Sequence, residues 1–545
     1  MAKHIFAILV VMFVLTACAT QASSSSPTPD SPATQASATA TVAPEASANP
    51  KPPAQQPGGR NQGTRAPQPQ NTPQAKPSPQ NPPARQTPQS NGGSDASQSL
   101  SLDVPAHPVD VVLGRPTQRA ITASVLANQD SEVYIEFGTQ AGAHFNKTTT
   151  RALTKNQPVE ILLEPLQSNT QYFYQVFYRA GNAGAFAALA EKTFYTQRVP
   201  GATFTFDIQA DSHLDSNSSL DVYARTLANM VADKPDFLID LGDTFMTDKY
   251  QPYTAAQKQY LAQRYFFGTL APSPLFLVIG NHDGETSFDS RSGRGNVAND
   301  MQVWSAKMRT QFFPNPTPND FYSGNATPDK NVGALQNYYG WEWGDALFVV
   351  LDPYWSTPAT RGNTSDNWNP TLGAAQYQWL KKTLETSRAK WKFVFIHQLV
   401  GGLDKDGRGG VEVAKFFEWG GKNADGSDGF AAKRPGWAMP IHQLLVANKV
   451  NAVFHGHDHL FVKQELDGIV YQEVSQPSAA RFDQSNSAKQ YGYVTGDVLP
   501  SPGHLRVTVS PSQVTIDYVR AYLPQDENAQ RKNGKVEYTY TLTAR

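Results

Sequence analysis

The sequence predicts an α/β domain carrying one polar site, preceded by a small all-β sandwich and a long stretch with no core of its own. Three observations carry that prediction. From Ala202 onward, short aliphatic runs end in tight clusters of carboxylate and imidazole, with helical patterns between them. Between Asp103 and Gln197, short runs alternate apolar and polar residues and are divided by turn residues. Across residues 19–98, Ser, Thr, Ala, Pro, Gln and Asn dominate, and Val42 is the only larger aliphatic residue.

The bulk numbers are compatible with this layout. At 545 residues the chain exceeds what one compact core accommodates, so two or more domains are expected. Lys and Arg total 46 against 47 Asp and Glu, a net charge of -1. No basic run stands out, which argues against a nucleic-acid partner held through its phosphates. Cys18 is the single cysteine, so no disulfide within the chain can staple the fold.

Lys3 and His4 precede an apolar run over residues 5–15, too short to span a bilayer but right for the core of a signal peptide. It ends in Leu15-Thr16-Ala17-Cys18, which resembles the lipobox of bacterial lipoproteins. That resemblance implies cleavage after residue 17, acylation of Cys18, and a lipid-anchored protein of the bacterial cell envelope facing the periplasm or exterior. Residues 19–102 follow as a disordered tether, because their composition cannot bury enough apolar surface to offset the entropy of ordering. A coil of that length reaches on the order of 50 Å from the membrane.

Residues 103–197 read as the sandwich. Ala120-Ile121-Thr122-Ala123-Ser124-Val125, Val133-Tyr134-Ile135-Glu136-Phe137 and Val159-Glu160-Ile161-Leu162-Leu163 are strand-like. The stretch Leu166-Gln167-Ser168-Asn169-Thr170-Gln171-Tyr172 resembles the tyrosine-corner region of fibronectin type III domains, with Ser168 where their pattern has proline.

Residues 200–545 form the α/β domain. Phe204-Thr205-Phe206-Asp207-Ile208-Gln209-Ala210 reads as a strand leading into Asp211-Ser212-His213. Leu220, Tyr223, Leu227, Met230 and Val231 then recur at helical spacing. Phe237-Leu238-Ile239-Asp240-Leu241 ends in Gly242-Asp243, a helical stretch follows over 255–265, and Leu275-Phe276-Leu277-Val278-Ile279 ends in Gly280-Asn281-His282-Asp283. Residues 284–337 read as a long polar loop. Beyond it, Leu347-Phe348-Val349-Val350-Leu351 is a strand and 375–384 a helix, and the strand Lys392-Phe393-Val394-Phe395-Ile396 ends at His397. A helix over 439–447 precedes Val450-Asn451-Ala452-Val453-Phe454, which leads to Gly456-His457-Asp458-His459. Residues 505–509 and 514–519, split by Ser510-Pro511-Ser512, read as a hairpin. Open α/β sheets gather such clusters at the carboxyl ends of their strands.

Carboxylates and imidazoles beside glycines are the donor types that suit iron, manganese or zinc. Two such ions roughly 3.5–4 Å apart stabilise charge on both the attacking and the leaving oxygen of a phosphate ester. The five clusters, in this order, resemble those of the calcineurin-like metallophosphoesterase superfamily. The resemblance implies a four-layer α/β/β/α sandwich. It also implies one metal on Asp211, His213 and His459, a bridging Asp243, and a second metal on Asn281, His397 and His457. His282 would protonate the leaving group and Asp283 would hold its tautomer. The β-sandwich in front is similar to that of purple acid phosphatases, but Met246 stands where their tyrosine ligand would be, and His213 is absent from their first motif. A colourless or weakly coloured enzyme is therefore expected. The implied function is hydrolysis of phosphate monoesters by a metal-bridging hydroxide, with a small phosphorylated substrate. A phosphodiesterase or nucleotide hydrolase is the alternative, and a non-catalytic binding protein a weaker one.

Thr244, Asp352, Tyr354, Gln398 and Arg408 are further candidates for contact with a phosphate. His455 reads as a packing or supporting group, and His107, His144, His442 and His504 as structural. Trp341-Glu342-Trp343 and Phe416-Phe417-Glu418-Trp419 read as core.

Overall fold

The computed structural model describes residues 102–286, 300–358, 366–402 and 407–545. The leader, Cys18 and the tether up to residue 101 lie outside the described residues. No helix among the described residues is long and apolar enough to cross a membrane.

The first hundred described residues are β-rich. Val109–Gly114, Ile121–Ala127 and Val159–Leu163 form one antiparallel sheet, and Ser131–Gly138 and Gln171–Ala180 centre a second. Their inward residues, among them Val111, Val125, Ile135, Tyr172 and Val176, share one core. The Tyr172 hydroxyl accepts a hydrogen bond from the Gln167 amide at 2.8 Å, the back-bond that fixes a corner between sheets.

Two sheets then stack face to face. The strands are numbered from the start of this α/β part. The first sheet contains β1 (Phe204–Gln209), β2 (Leu238–Asp240) and β3 (Leu275–Leu277), all parallel. The second contains β4 (Ser323–Gly324), β5 (Tyr339–Trp343), β6 (Ala346–Val350), β7 (Trp391–Phe395), β8 (Ala452–His455), β9 (Leu460–Leu466), β10 (Ile469–Glu473) and β11 (Asp497–Pro500). Its strand order is β4-β5-β6-β7-β8-β10-β9-β11. β12 (Gly503–Val509), β13 (Gln513–Arg520) and β14 (Val536–Thr543) return to the first sheet, giving the order β3-β2-β1-β12-β13-β14.

Alternation along each strand sorts side chains into layers. On β6, Ala346, Phe348 and Val350 join Phe206, Phe237, Trp341, Phe393 and Phe395 between the sheets. Leu347 and Val349 turn the other way, onto helices α4 (Gly373–Thr386) and α5 (Ile441–Ala447) through Tyr377, Leu380 and Leu444. The outer face of the first sheet is covered by α1 (Leu220–Asp233), α2 (Gln257–Tyr265) and α3 (Met301–Phe312). The result is the expected α/β/β/α sandwich.

Several elements go beyond the sequence reading, among them β5, β9, β10 and β11, and two are instructive. The stretch taken as one long loop contains α3, whose buried side chains include Gln302, Ser305 and Arg309. Those polar residues hide the helical period. Arg309 is buried because it forks onto Glu285 at 2.5 and 3.0 Å. The tail is not a simple hairpin, since β14 adds a third strand to it.

The sandwich is locked to the α/β part by Arg264 on α2. This guanidinium is wholly buried. It donates to Asp110 Oδ1 at 2.7 Å, to Ser124 Oγ at 3.0 Å and to the Ser124 carbonyl at 2.8 Å. Lys192 Nζ adds a bond to the Gly268 carbonyl, and Tyr322 OH one to the Pro116 carbonyl at 2.5 Å. Removing one partner of a buried ion pair strands the other charge, at a cost of about 3–5 kcal/mol. Arg264→Met is therefore expected to lower the unfolding free energy by about that amount, read from urea denaturation.

Candidate metal centre

The polar clusters end strands from both sheets: β1, β2 and β3 on one side, β7 and β8 on the other. They converge into two groups in which one ligand atom from each residue lies within 4.8 Å of the others. The first is Asp211, His213 and His459, and the second is Asp243, His397 and His457. Asp243 Oδ2 stands between them, 3.5 Å from His213 Nε2 and 3.4 Å from His397 Nε2. Asp211 Oδ1 lies 3.6 Å from His459 Nε2 and 3.9 Å from His397 Nε2. Asn281 Oδ1 comes within 3.0 Å of His397 Nε2 and so belongs to the second group.

The backbone is strained to achieve this. Asp211, His213, Asp243, His457 and His459 all have positive φ, between 53° and 85°. Such non-glycine residues are uncommon and persist only where the surroundings over-determine them. Room for the approach comes from glycine. A Cβ on Gly280 would collide with the Asp243 amide and carboxylate, and one on Gly456 would lie 2.7 Å from Asp211 Oδ2.

Four of the candidate ligands are held by their other atom. Asp211 Oδ2 accepts from the His457 amide at 2.8 Å, and Asp243 Oδ1 from the His282 amide at 2.8 Å. His397 Nδ1 is 2.9 Å from the Leu241 carbonyl and donates to it, which directs Nε2 into the site. His213 Nδ1 pairs with Asp215 at 3.2 Å in the same way. Asp211 Oδ1 and His213 Nε2 are buried without a hydrogen-bond partner. Buried, unpartnered polar atoms aimed at one point fit a cation, and nitrogen and carboxylate ligands suit iron, manganese or zinc.

The protonation states divide: burial opposes charge on His213, but its hydrogen bonds to Asp211, Asp215 and Asp243 raise it well above the usual imidazole range, while two other histidines are held down. Burial holds His457 well below the usual imidazole range, and holds His459 down to about 4, the charge on neighbouring histidines adding to it. Both are neutral and ready to coordinate. Burial also opposes charge on His397, but Asp243 outweighs it and lifts it to about 9. The cluster is thus acidic enough to hold a proton that a metal ion would displace.

The structure corrects the role given to Asp283. Its carboxylate does not orient the His282 ring. It accepts the amides of Asp243, Thr244, Phe245 and Gly280 at 3.2, 2.8, 2.8 and 2.7 Å, clamping the two loops that carry Asp243 and Asn281. Burial, then the charge of Asp243, pushes it up to about 7. The partner of His282 is Asp248, whose Oδ2 is 2.8 Å from Nδ1. His282 Nε2 faces the centre, 4.0 Å from Asp243 Oδ2. Asp248 was missed because it lies in a short 3-10 turn, Thr247–Lys249, with no strand-end motif to mark it.

Of the remaining candidates, Thr244 is buried and donates to Asp240, and Asp352 accepts the Tyr354 and Trp355 amides, so both are structural. Tyr354 donates to Gln398 at 2.9 Å beside the His397 ring. Arg408 binds the His457 carbonyl and Asp458, bracing the second histidine loop from behind. His455 Nδ1 lies 2.7 Å from Glu473 Oε2, and burial drives the ring down to about 3. Met246 is packed among Phe245, Tyr260 and Leu214.

Paired clusters of this composition, where the strand ends of two stacked sheets meet, define a metal-dependent hydrolase. The family described as calcineurin-like phosphoesterase matches residues 204–461. That segment belongs to this family, and the protein is a metal-dependent phosphoric ester hydrolase. Among solved structures, that of PhoD is similar at a TM-score of 0.56 and 14% identity, covering 81% of this chain and 91% of its own. Purple acid phosphatase PPD1 from yellow lupin (Lupinus luteus) seeds is similar at 0.51 and 16%, covering 80% of this chain and 74% of its own. These likenesses show a common fold. No curated protein sequence matches the chain.

Gly280→Ala tests the close approach at Asp243. A shift of about 1 Å at a reacting centre costs on the order of 100-fold, so hydrolysis should fall by at least that much while the circular dichroism spectrum is unchanged.

Proposed function

We propose that the protein is an exported, lipid-anchored phosphatase acting on small phosphate monoesters through a dinuclear centre of iron, manganese or zinc. The observation that carries the dinuclear reading is that Asp243 Oδ2, a member of the second group beside His397 at 3.4 Å, also lies 3.5 Å from His213 Nε2 of the first. Asp211, His213 and His459 would hold one ion, Asn281, His397 and His457 the other, and Asp243 would bridge them. When bound, the ions would supply charge stabilisation at the phosphate and a nucleophile at neutral pH.

The chain's own residues do the rest. His282 is half-buried at the mouth of the site, with Asp248 holding Nδ1 and Nε2 directed inward. In that pose its Nε2 proton goes to the leaving oxygen. Asp283 keeps the loops of Asp243 and Asn281 at fixed separation. Export and anchoring are supported by the short apolar run and the Leu15-Thr16-Ala17-Cys18 motif, with residues 19–102 as the tether. The tyrosine corner at Tyr172 supports a fibronectin type III-like domain in front of the catalytic one.

The test is hydrolysis of p-nitrophenyl phosphate, an alkyl phosphate and bis-p-nitrophenyl phosphate after loading with each metal, with His282→Ala beside the wild type. Both monoesters should turn over and chelation should abolish activity. His282→Ala should lose about 100-fold or more on the alkyl ester, and less on p-nitrophenyl phosphate, whose leaving group departs without a proton. Preference for the diester would replace the monoesterase reading with a phosphodiesterase. Because Met246 is an apolar, buried residue, the iron-loaded enzyme should show no tyrosinate charge-transfer band in the visible spectrum.

A further inference from the structure

Behind the catalytic centre, on the helix-facing side of the first sheet, lies a second polar cluster. Asp207 projects from β1, four residues before Asp211, and His504 from β12, while Asp233 ends α1. One ligand atom from each lies within 4.8 Å of the other two. Asp207 and His504 are both 0% exposed.

The hydrogen bonding leaves acceptors without donors. His504 Nε2 is 2.8 Å from Asp233 Oδ2, and that bond places the ring proton on Nε2. Burial keeps the ring neutral, so Nδ1 carries a lone pair. Nδ1 has no partner, and neither carboxylate oxygen of Asp207 has one. Arg506 sits opposite Asp207 in register, yet it spends its donors elsewhere: on Asp233 at 2.8 Å, and on Asp517 at 3.1 and 2.7 Å. A buried carboxylate beside a buried lone pair is costly unless a cation or a proton intervenes. A metal-ligating histidine whose other nitrogen donates to a carboxylate is a recurrent arrangement.

We propose that Asp207, Asp233 and His504 form a structural site for one divalent transition-metal ion, separate from the catalytic pair. Imidazole with two carboxylates favours zinc or manganese over calcium or magnesium. The ion would balance the buried carboxylates and tie the carboxyl end of α1 to β1 and β12. It would thereby brace the strand that delivers Asp211. Burial, then the charge of Asp233, raises Asp207 well above the usual carboxylate range, as expected of a group that needs a cation to ionise.

The experiment is metal content by mass spectrometry on the zinc-loaded, desalted protein, for the wild type, Asp207→Asn and His504→Gln. Each variant should hold one ion fewer per chain than the wild type, with monoesterase activity retained. The reading is a difference between proteins, so it stands or falls independently of the function proposed above. Anomalous diffraction at the zinc edge from wild-type crystals should give a peak at Asp207 and His504, and this decides the matter even where a variant fails to fold. Equal metal content in folded variants and wild type, or no anomalous peak at Asp207, overturns the proposal and leaves a protonated Asp207.

Discussion

Everything at the site depends on placing the Asp243 carboxylate, buried and charged, within about 3.5 Å of imidazoles from both sheets. Such a carboxylate is expensive to bury alone, and the surrounding structure answers that cost at several points. The His282 amide takes one oxygen, Asp283 gathers the amides of the same loop, and glycine at 280 lets the neighbouring loop close in. The left-handed backbone at Asp211, His213, Asp243, His457 and His459 is the strain that remains. It is held in place because the two sheets are fixed to each other by an aromatic core running from Phe206 through Phe348 to Phe395.

The four layers therefore act as a frame for strand ends. β6, buried on both faces, carries no polar side chain until it stops, and the catalytic clusters likewise lie where strands reach their carboxyl ends. That is why acidic and imidazole side chains from five distant parts of the sequence can meet. The sandwich contributes through Arg264, whose bonds to Asp110 and Ser124 seat it against α2 and the first sheet.

The catalytic clusters were legible in the sequence because each is short, local and adjacent to an aliphatic run. The pairing of Asp248 with His282 was not, since it joins residues 34 apart through a turn with no pattern of its own. The role of Asp283 beside His282 came with the family resemblance. In the fold, adjacent residues of a 3-10 turn point in different directions, and Asp283 turns inward to the amides. Helix α3 was hidden by its buried polar residues, whereas β14 shows its alternation plainly at Val536, Tyr538, Tyr540 and Leu542. Positive φ at non-glycine ligands leaves no mark in sequence at all.

The central claim is that one carboxylate joins two metal ions into a single centre. Electron paramagnetic resonance of the manganese-loaded protein reads this directly, because two manganese ions sharing a bridge are exchange-coupled. The account predicts a coupled multiline spectrum in the wild type that is replaced by isolated-ion signals in Asp243→Asn. Isolated-ion signals in the fully loaded wild type would contradict it.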